Sequence, residues 1–282
     1  MNPRTVELVG VWTLRLIAWS VVAAVAVVLG DIVVEGLPAV DREFLTARPK
    51  RAGAAGGILP AIVGTLCLLA GTAAAALPVG LGAAVYFSEY APSGPWAARL
   101  RLGIVTLSGV PSVVFGLLGF GLFVVFLGFG SSILAGSLTL ALMALPVVIV
   151  AGEEALRAVP TSLREASLAL GATPAQTIWK VVLPAALPGM LTGSALGLAR
   201  AAGETAPILL TVAAFYLPAL PESVFDEVMA LPTHLYILAT QHPDAEAVRS
   251  RQYGTALVLA VLVLGLTSAA GVLRRRFVRN GR

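Results

Sequence analysis

Runs of twenty or more apolar residues recur along this chain, and they constrain its fold more than any other feature. Each is long enough to cross the roughly 30 Å hydrocarbon core of a bilayer as a helix. In lipid, only helices or closed barrels satisfy their own backbone groups. Six apolar runs of nineteen residues or more are read, at 11–34, 58–86, 102–127, 133–151, 188–214 and 253–273. Of the 282 residues 58% are apolar and 12% charged, with a mean hydropathy of +0.91. Soluble domains carry about twice that charge. The reading is an all-α integral membrane protein with six transmembrane helices. The first run is too long for the apolar part of a cleavable signal and lacks a small-residue cleavage site, so it is expected to stay as a span.

An even number of spans puts both termini on one side, and the cations choose which. Twelve Lys and Arg lie on the side of the termini and six on the other, with Arg200 inside a span. By the positive-inside rule both termini are cytoplasmic, although the cluster Arg48, Lys50 and Arg51 opposes the bias. Arg outnumbers Lys seventeen to two, which reads as genome composition and not as nucleic-acid binding. Cys67, mid-span, reads as packing. His234 and His242 are too far apart for one helical turn and have no Cys nearby, so no metal site is expected. The polar stretch 35–57 reads as a poorly ordered loop, and Pro92, Gly94 and Pro95 as turn signals. Pro78, Gly80 and Gly82 predict a kink in the second span. Glu153 and Glu154 read as solvated charges at the water boundary, and Glu222, Asp226 and Glu227 as an acidic helix end.

The polar stretch 152–184, cytoplasmic by this topology, carries local helix signals. Ser162-Leu-Arg-Glu165 has the spacing of a capping box. Gly171 offers the left-handed position that ends helices. Thr173-Pro-Ala-Gln176 is a second capping box with Pro at the first helical position. Two short helices joined at Gly171 follow, the first with Leu163, Ala166, Ser167 and Leu170 along one narrow face that suits a partner's groove. An amphipathic connector lying on the membrane is the competing reading. Glu165-Ala-Ser167, then Gly171 after three residues, then Val181-Val-Leu-Pro184, resembles the EAA motif of type I ABC importer permeases, with Ser167 in place of Ala and Val181 in place of Ile. The resemblance implies that family's permease fold, with this segment as a coupling helix seated on an ATP-binding subunit. It places Arg164, Glu165, Ala166, Ser167 and Gly171 in the coupling role. The chain itself has no G-x-x-x-x-G-K-[ST] phosphate loop, and its only lysines are Lys50 and Lys180. The resemblance therefore implies no cofactor on this chain, with ATP and Mg used by the partner.

The fifth run carries Arg200 and Glu204, one helical turn apart. Counting about 1.5 Å per residue from Gly189 puts Arg200 roughly 17 Å in, near mid-membrane, where a charge is costly and faces protein or water. Gly189, Gly193, Gly197 and Ala201 form a small-residue ridge that permits close helix contact. Pro207 leaves the Gly203 carbonyl without its helical donor. Two readings stay open: Arg200 meets an anion in transit, or Arg200 and Glu204 neutralise each other. Ala-Arg-Ala-Ala-Gly-Glu-Thr-Ala-Pro at 199–207 resembles the signature of the PstA family of phosphate permeases. So do PAIVGT at 60–65, GVPSVVFG at 109–116, ALPTHLYILA at 230–239 and YGTALVL at 253–259. That family often carries an Arg just before the paired glutamates. Val150, Ala151 and Gly152 stand there, and whether a substrate contact or an ion pair is lost stays open.

The resemblance implies a bacterial plasma-membrane permease subunit importing inorganic phosphate, with Arg200, Glu204 and Thr205 on the substrate path. Its implied partners are a second permease of PstC type, an ATP-binding subunit dimer, an extracytoplasmic phosphate-binding protein and membrane lipid, with no nucleic acid. The organisation expected is a first helix and loop at 1–57, a permease domain at 58–274 with its coupling loop at 152–184, and a basic tail at 275–282. The alternatives are a permease for another oxyanion (molybdate or sulfate), an ion-coupled carrier or channel without an ATPase, and a bare membrane scaffold.

Overall fold

The helix Ile133–Arg157 is the element around which the others stand, because small residues let two neighbours approach it closely. The computed structural model describes residues 3–91, 94–214 and 216–280; Pro92, Phe215 and the last two residues of the basic tail lie outside them. In chain order the helices are α1 (Pro3–Gly36), α2 (Arg42–Thr46), α3 (Leu59–Val85), α4 (Pro95–Leu107), α5 (Ser112–Gly119) and α6 (Ile133–Arg157). They continue with α7 (Thr161–Ala169), α8 (Pro174–Thr177), α9 (Leu183–Ala202), α10 (Ala206–Thr211), α11 (Leu231–Thr240) and α12 (Ala245–Asn280). A two-residue hairpin, β1 (Pro49–Lys50) and β2 (Ala55–Gly56), sits before α3. π-Helical turns extend α3 through Tyr86–Tyr90 and α5 through Phe120–Phe126, and one joins α8 to α9 at Ile178–Val182.

Among the described residues, five helical segments are long and apolar enough to cross a membrane, and the pair α4–α5 makes a sixth if it is counted as one span. The expected straight span at 102–127 is therefore corrected: α4 and α5 meet at 100°. Pro111, with φ −56° and ψ 139°, is the residue before α5. Its ring cannot donate to the preceding turn and pushes Val110 out of helical geometry. The span at 188–214 is likewise interrupted after Ala202, and its helical segment starts earlier, at Pro174. Two thirds (67%) of α6's most apolar window is buried, against 0% for that of α1, which leaves Trp12, Leu16 and Trp19 facing outward. Lipid tails are as apolar as these side chains, so α1 is stable in that exposure.

The α6 contacts are seams of small side chains. On the α3 side a Cβ added at Gly71 would fall 2.4 Å from Ser137 Oγ, at Gly80 2.7 Å from Val148 Cγ1, and at Gly152 2.7 Å from Ala84 Cβ. Thr72 Oγ1 also donates to the Ser137 carbonyl and Ser137 Oγ to the Leu68 carbonyl, tying the two helices across the seam. On the α9 side the expected ridge is borne out: added Cβ atoms at Gly189, Gly193 and Gly197 would meet Ala155, Ala151 and Val148 at 2.8, 2.3 and 3.3 Å.

The stretch 35–57, expected to be disordered, is folded. Asp41 caps α2 by accepting from the Phe44 amide at 2.6 Å. The hairpin is held by Tyr216 Oη donating to the Pro49 carbonyl at 2.8 Å and by the Arg251 guanidinium donating to the Gly56 carbonyl at 2.6 Å. With 213–214 and 216–240 it forms a cap over the end of the bundle where α6 begins. There the amides of Ile133 and Leu134 donate to the carbonyls of Asp226 and Val224, satisfying first-turn donors. Glu222, Asp226 and Glu227 are not a helix end: Asp226 Oδ2 accepts from the Glu222 and Ser223 amides in a turn.

His234 lies within this cap, outside the spans, and is buried beside Gly53. Burial, reinforced by the Arg251 charge, lowers its imidazole from the ordinary 6.5 to about 4. The unfolded chain then binds the proton first as pH falls. Its contribution is complete above about pH 6.5 and is lost towards pH 4, by at most about 3 kcal/mol. Thermal melts of the detergent-solubilised protein should fall in midpoint over that window, and His234→Gln should flatten that part of the profile. At the α6–α9 seam, Gly193→Ala should cost about 1–3 kcal/mol by overpacking. Adding Ala151→Gly in the same chain should recover most of the lost midpoint.

Candidate functional site

Two regions carry the residues singled out by the sequence, and they lie at different depths of the bundle. The first is the break after α9. The helix closes with the Gly203 amide on the Arg200 carbonyl and the Glu204 amide on the Ala201 carbonyl, and it resumes at Ala206. Antiparallel pairing of Gly189, Gly193 and Gly197 with Ala155, Ala151 and Val148 carries the register up α6. Ala201 accordingly packs in one cluster with Leu140 and Met143. Arg200 is thus level with the middle of α6, although the span that carries it begins at Pro174 and not near Gly189.

Arg200 Nε lies 3.8 Å from Glu204 Oε1, and their side chains are 50% and 18% exposed. At that separation they share charge without a hydrogen bond. Arg200 therefore points from the open face of α9, next to the exposed Leu196, and has donors to offer to an anion. Thr205 is half-buried at the break, and its carbonyl accepts from the Leu209 amide.

The signature segments resembling the phosphate permeases meet one another in space. A Cβ on Gly116 would lie 2.9 Å from Pro207 Cα, so GVPSVVFG on α5 packs directly on the GETAP break. Gly64 abuts the Met229 carbonyl at 2.0 Å by the same construction, and Thr65 Oγ1 accepts from the Leu231 amide at 2.8 Å, joining PAIVGT to ALP. Gly254 of YGTALVL fits against Phe44 and Ala39.

The second region is the segment α7–α8 at the opposite end from the cap. Gly171 adopts φ +86°, and the Ala172 amide reaches back to the Ser167 carbonyl, as a left-handed helix stop requires. The Thr173–Gln176 capping box forms in both directions. The other expected box does not. Helix α7 opens two residues early, directly behind Pro160, and no side chain caps it. Proline presets an extended entry into the first turn, so the helix starts directly behind it. Leu163, Glu165, Ala166 and Leu170 are exposed, Leu170 by 90%, whereas Ser167 Oγ bonds Thr177 Oγ1 at 2.9 Å. Arg164 points the other way, into the protein, onto Glu89.

The glutamate pair divides. Glu154 is exposed, but Glu153 is buried, correcting its reading as a solvated charge. Arg101 Nε and the Arg157 guanidinium lie 2.7 and 2.6 Å from Glu153 Oε1, beside a cleft of about 140 Å³. The cations absent from 150–152 reach Glu153 from α4 and from one turn further along α6. Residue order gave no sign of the Arg101 contact, because the two residues lie 52 positions apart on separate helices. The Arg157 contact was readable as an i, i+4 pair once α6 is extended past Ala151.

Comparison with known proteins defines the class. Residues 76–280 match the family of binding-protein-dependent transport system inner membrane components. The chain is 42% identical over 221 residues to the phosphate transport system permease protein PstA 1 of Mycobacterium tuberculosis, covering 78% of this chain and 71% of that protein. It is 34% identical over 265 residues to a probable ABC transporter permease, YqgI, of Bacillus subtilis, covering 88% and 89%. Among solved structures, an inward-facing MetNI methionine ABC transporter superimposes with a TM-score of 0.60 at 21% identity, over 76% of this chain and 93% of that one. The chain belongs to the binding-protein-dependent inner membrane permeases, in the group of the PstA permeases.

The Gly116 contact gives a local test. Gly116→Val must push α10 away from α5, and it should lower the thermal midpoint in detergent, costing about 1–3 kcal/mol. The equally apolar Val113→Leu, at an exposed position, should leave the midpoint unchanged.

Proposed function

We infer that this chain is a permease subunit of an ATP-driven importer of inorganic phosphate, supplying half of the translocation path. The observation that carries this reading is a half-exposed arginine at mid-depth, beside a helix break, in a chain 42% identical to a phosphate permease. A guanidinium offers paired donors that match phosphate oxygens. Arg200 engages the anion; Glu204, 3.8 Å away, moderates its charge, and Thr205 offers a hydroxyl at the break. A second permease of PstC type faces the open side of α9, so the path runs between the two.

The exposed surface of α7 and the turn at Gly171 supports a docking role. In this reading Glu165, Ala166, Ser167 and Gly171 seat on one member of an ATP-binding dimer, which uses ATP and Mg. Arg164 acts from behind. Both termini and the α7 end are cytoplasmic, and the cap built from 37–57, 213–214 and 216–240 receives a phosphate-binding protein outside. The basic tail anchors this orientation.

Reconstitution of the four-subunit complex in liposomes tests the assignment. ATP-dependent uptake should favour phosphate over sulfate and molybdate; preference for either competitor replaces phosphate with that oxyanion. Arg200→Gln should cut uptake by about tenfold to a hundredfold, the value of one charge-assisted bond, while the complex still assembles. Failure of assembly instead assigns Arg200 and Glu204 to a structural pair.

A further inference from the structure

The sequence places Arg164 within the docking motif, yet the folded chain turns it away from any docked partner. Its guanidinium grips Glu89 with both branches, Nη1 to Oε2 at 2.5 Å and Nη2 to Oε1 at 3.1 Å. The same Nη2 donates to the Leu156 carbonyl at 3.0 Å. Glu89 is only 5% exposed and belongs to the π-helical turn that ends α3. Leu156 is fully buried in the last turn of α6. Ser88 Oγ donates to Glu89 Oε1 at 2.8 Å, holding the carboxylate in its rotamer. One side chain of α7 is therefore bonded to the ends of two spans at once, across 75 residues of sequence in one case.

The same turn is braced from its other side. Arg101 of α4 donates to the Phe87 carbonyl at 2.5 Å, and its Nε pairs with Glu153 of α6. The α3 and α6 ends are thereby cross-tied, so a pull on Glu89 moves both. A bidentate guanidinium–carboxylate bond resists sliding and rotation in a way a single contact does not. Breaking it would strand a buried carboxylate.

We propose that Arg164 is a positioning residue that, with Glu89 and the Leu156 carbonyl, forms a rigid strut carrying displacement of α7 into spans α3 and α6. The proposal rests on the importer reading given above. It separates two jobs within one short helix. The exposed residues of α7 meet the ATP-binding subunit, and the half-buried, inward-turned Arg164 transmits what that subunit does.

The reconstituted complex distinguishes transmission from folding through phosphate imported per ATP hydrolysed. Arg164→Gln and Glu89→Gln should assemble and hydrolyse ATP at rates near those of the wild type, while phosphate per ATP falls on the order of tenfold. Arg164→Lys, which keeps the charge but loses the fork, should show a partial fall. The exchanged pair Glu89→Arg with Arg164→Glu should recover much of the ratio. Unchanged coupling in the single variants overturns the strut, as does an equal loss of hydrolysis and uptake. Where single variants fail to assemble, a second measurement decides. With Cys67→Ala, cysteines at 89 and 164 are bridged by a short bifunctional thiol reagent. A rigid strut predicts that the bridged complex still imports phosphate; arrest upon bridging overturns it. A wild-type complex that assembles and hydrolyses ATP without importing phosphate overturns the importer reading itself.

Discussion

Helices in lipid gain nothing from hiding apolar surface from one another, so close backbone approach has to supply the attraction. In this protein that requirement falls on α6. Glycines of α3 and α9 line its two flanks, and added Cβ atoms there would come as near as 2.3 Å to their neighbours. The hydroxyls of Thr72 and Ser137 complete the α3 seam. Everything else is referred to this triplet. Its start is capped by the folded loops, its far end carries α7, and its open α9 face presents Arg200.

Two interruptions give the bundle its function-bearing geometry, and both are caused locally. Pro111 stops one span and turns it by 100°. Gly203 to Thr205 stop another just past Arg200. The interruptions meet through Gly116 and Pro207, whose contact leaves no room for a side chain. The most recognisable segments of the sequence are therefore largely joints between elements. Arg200 stands out from them because its side chain projects away from the joint.

The α7 end is organised by charge. Glu153 is shared by Arg101 and Arg157, and Glu89 is taken by Arg164. These carboxylates can be buried because each has charged partners at hydrogen-bonding distance. Contiguous residues put Glu153 at the water boundary and Arg164 on a docking surface, since polar residues after an apolar run ordinarily sit there. The error has a physical cause. Arg101 and Arg164 reach Glu153 and Glu89 from elements 52 and 75 residues away, and periodicity contains no term for them.

The sequence by itself determined what depends on contiguous residues. It was enough for the membrane class, the small-residue ridge of α9, the left-handed stop at Gly171 and the Thr173–Gln176 cap. Each follows from spacing along one helix or one turn. Tertiary structure alone decided that the stretch 35–57 is ordered, that Glu153 and Glu89 are buried and paired, and that Arg164 faces inward. It also brought Thr65 to the Leu231 amide, across 166 residues. Those outcomes are set by which surfaces meet, and in a bilayer that choice rests on shape and hydrogen bonding at contacts the chain makes only once it has folded.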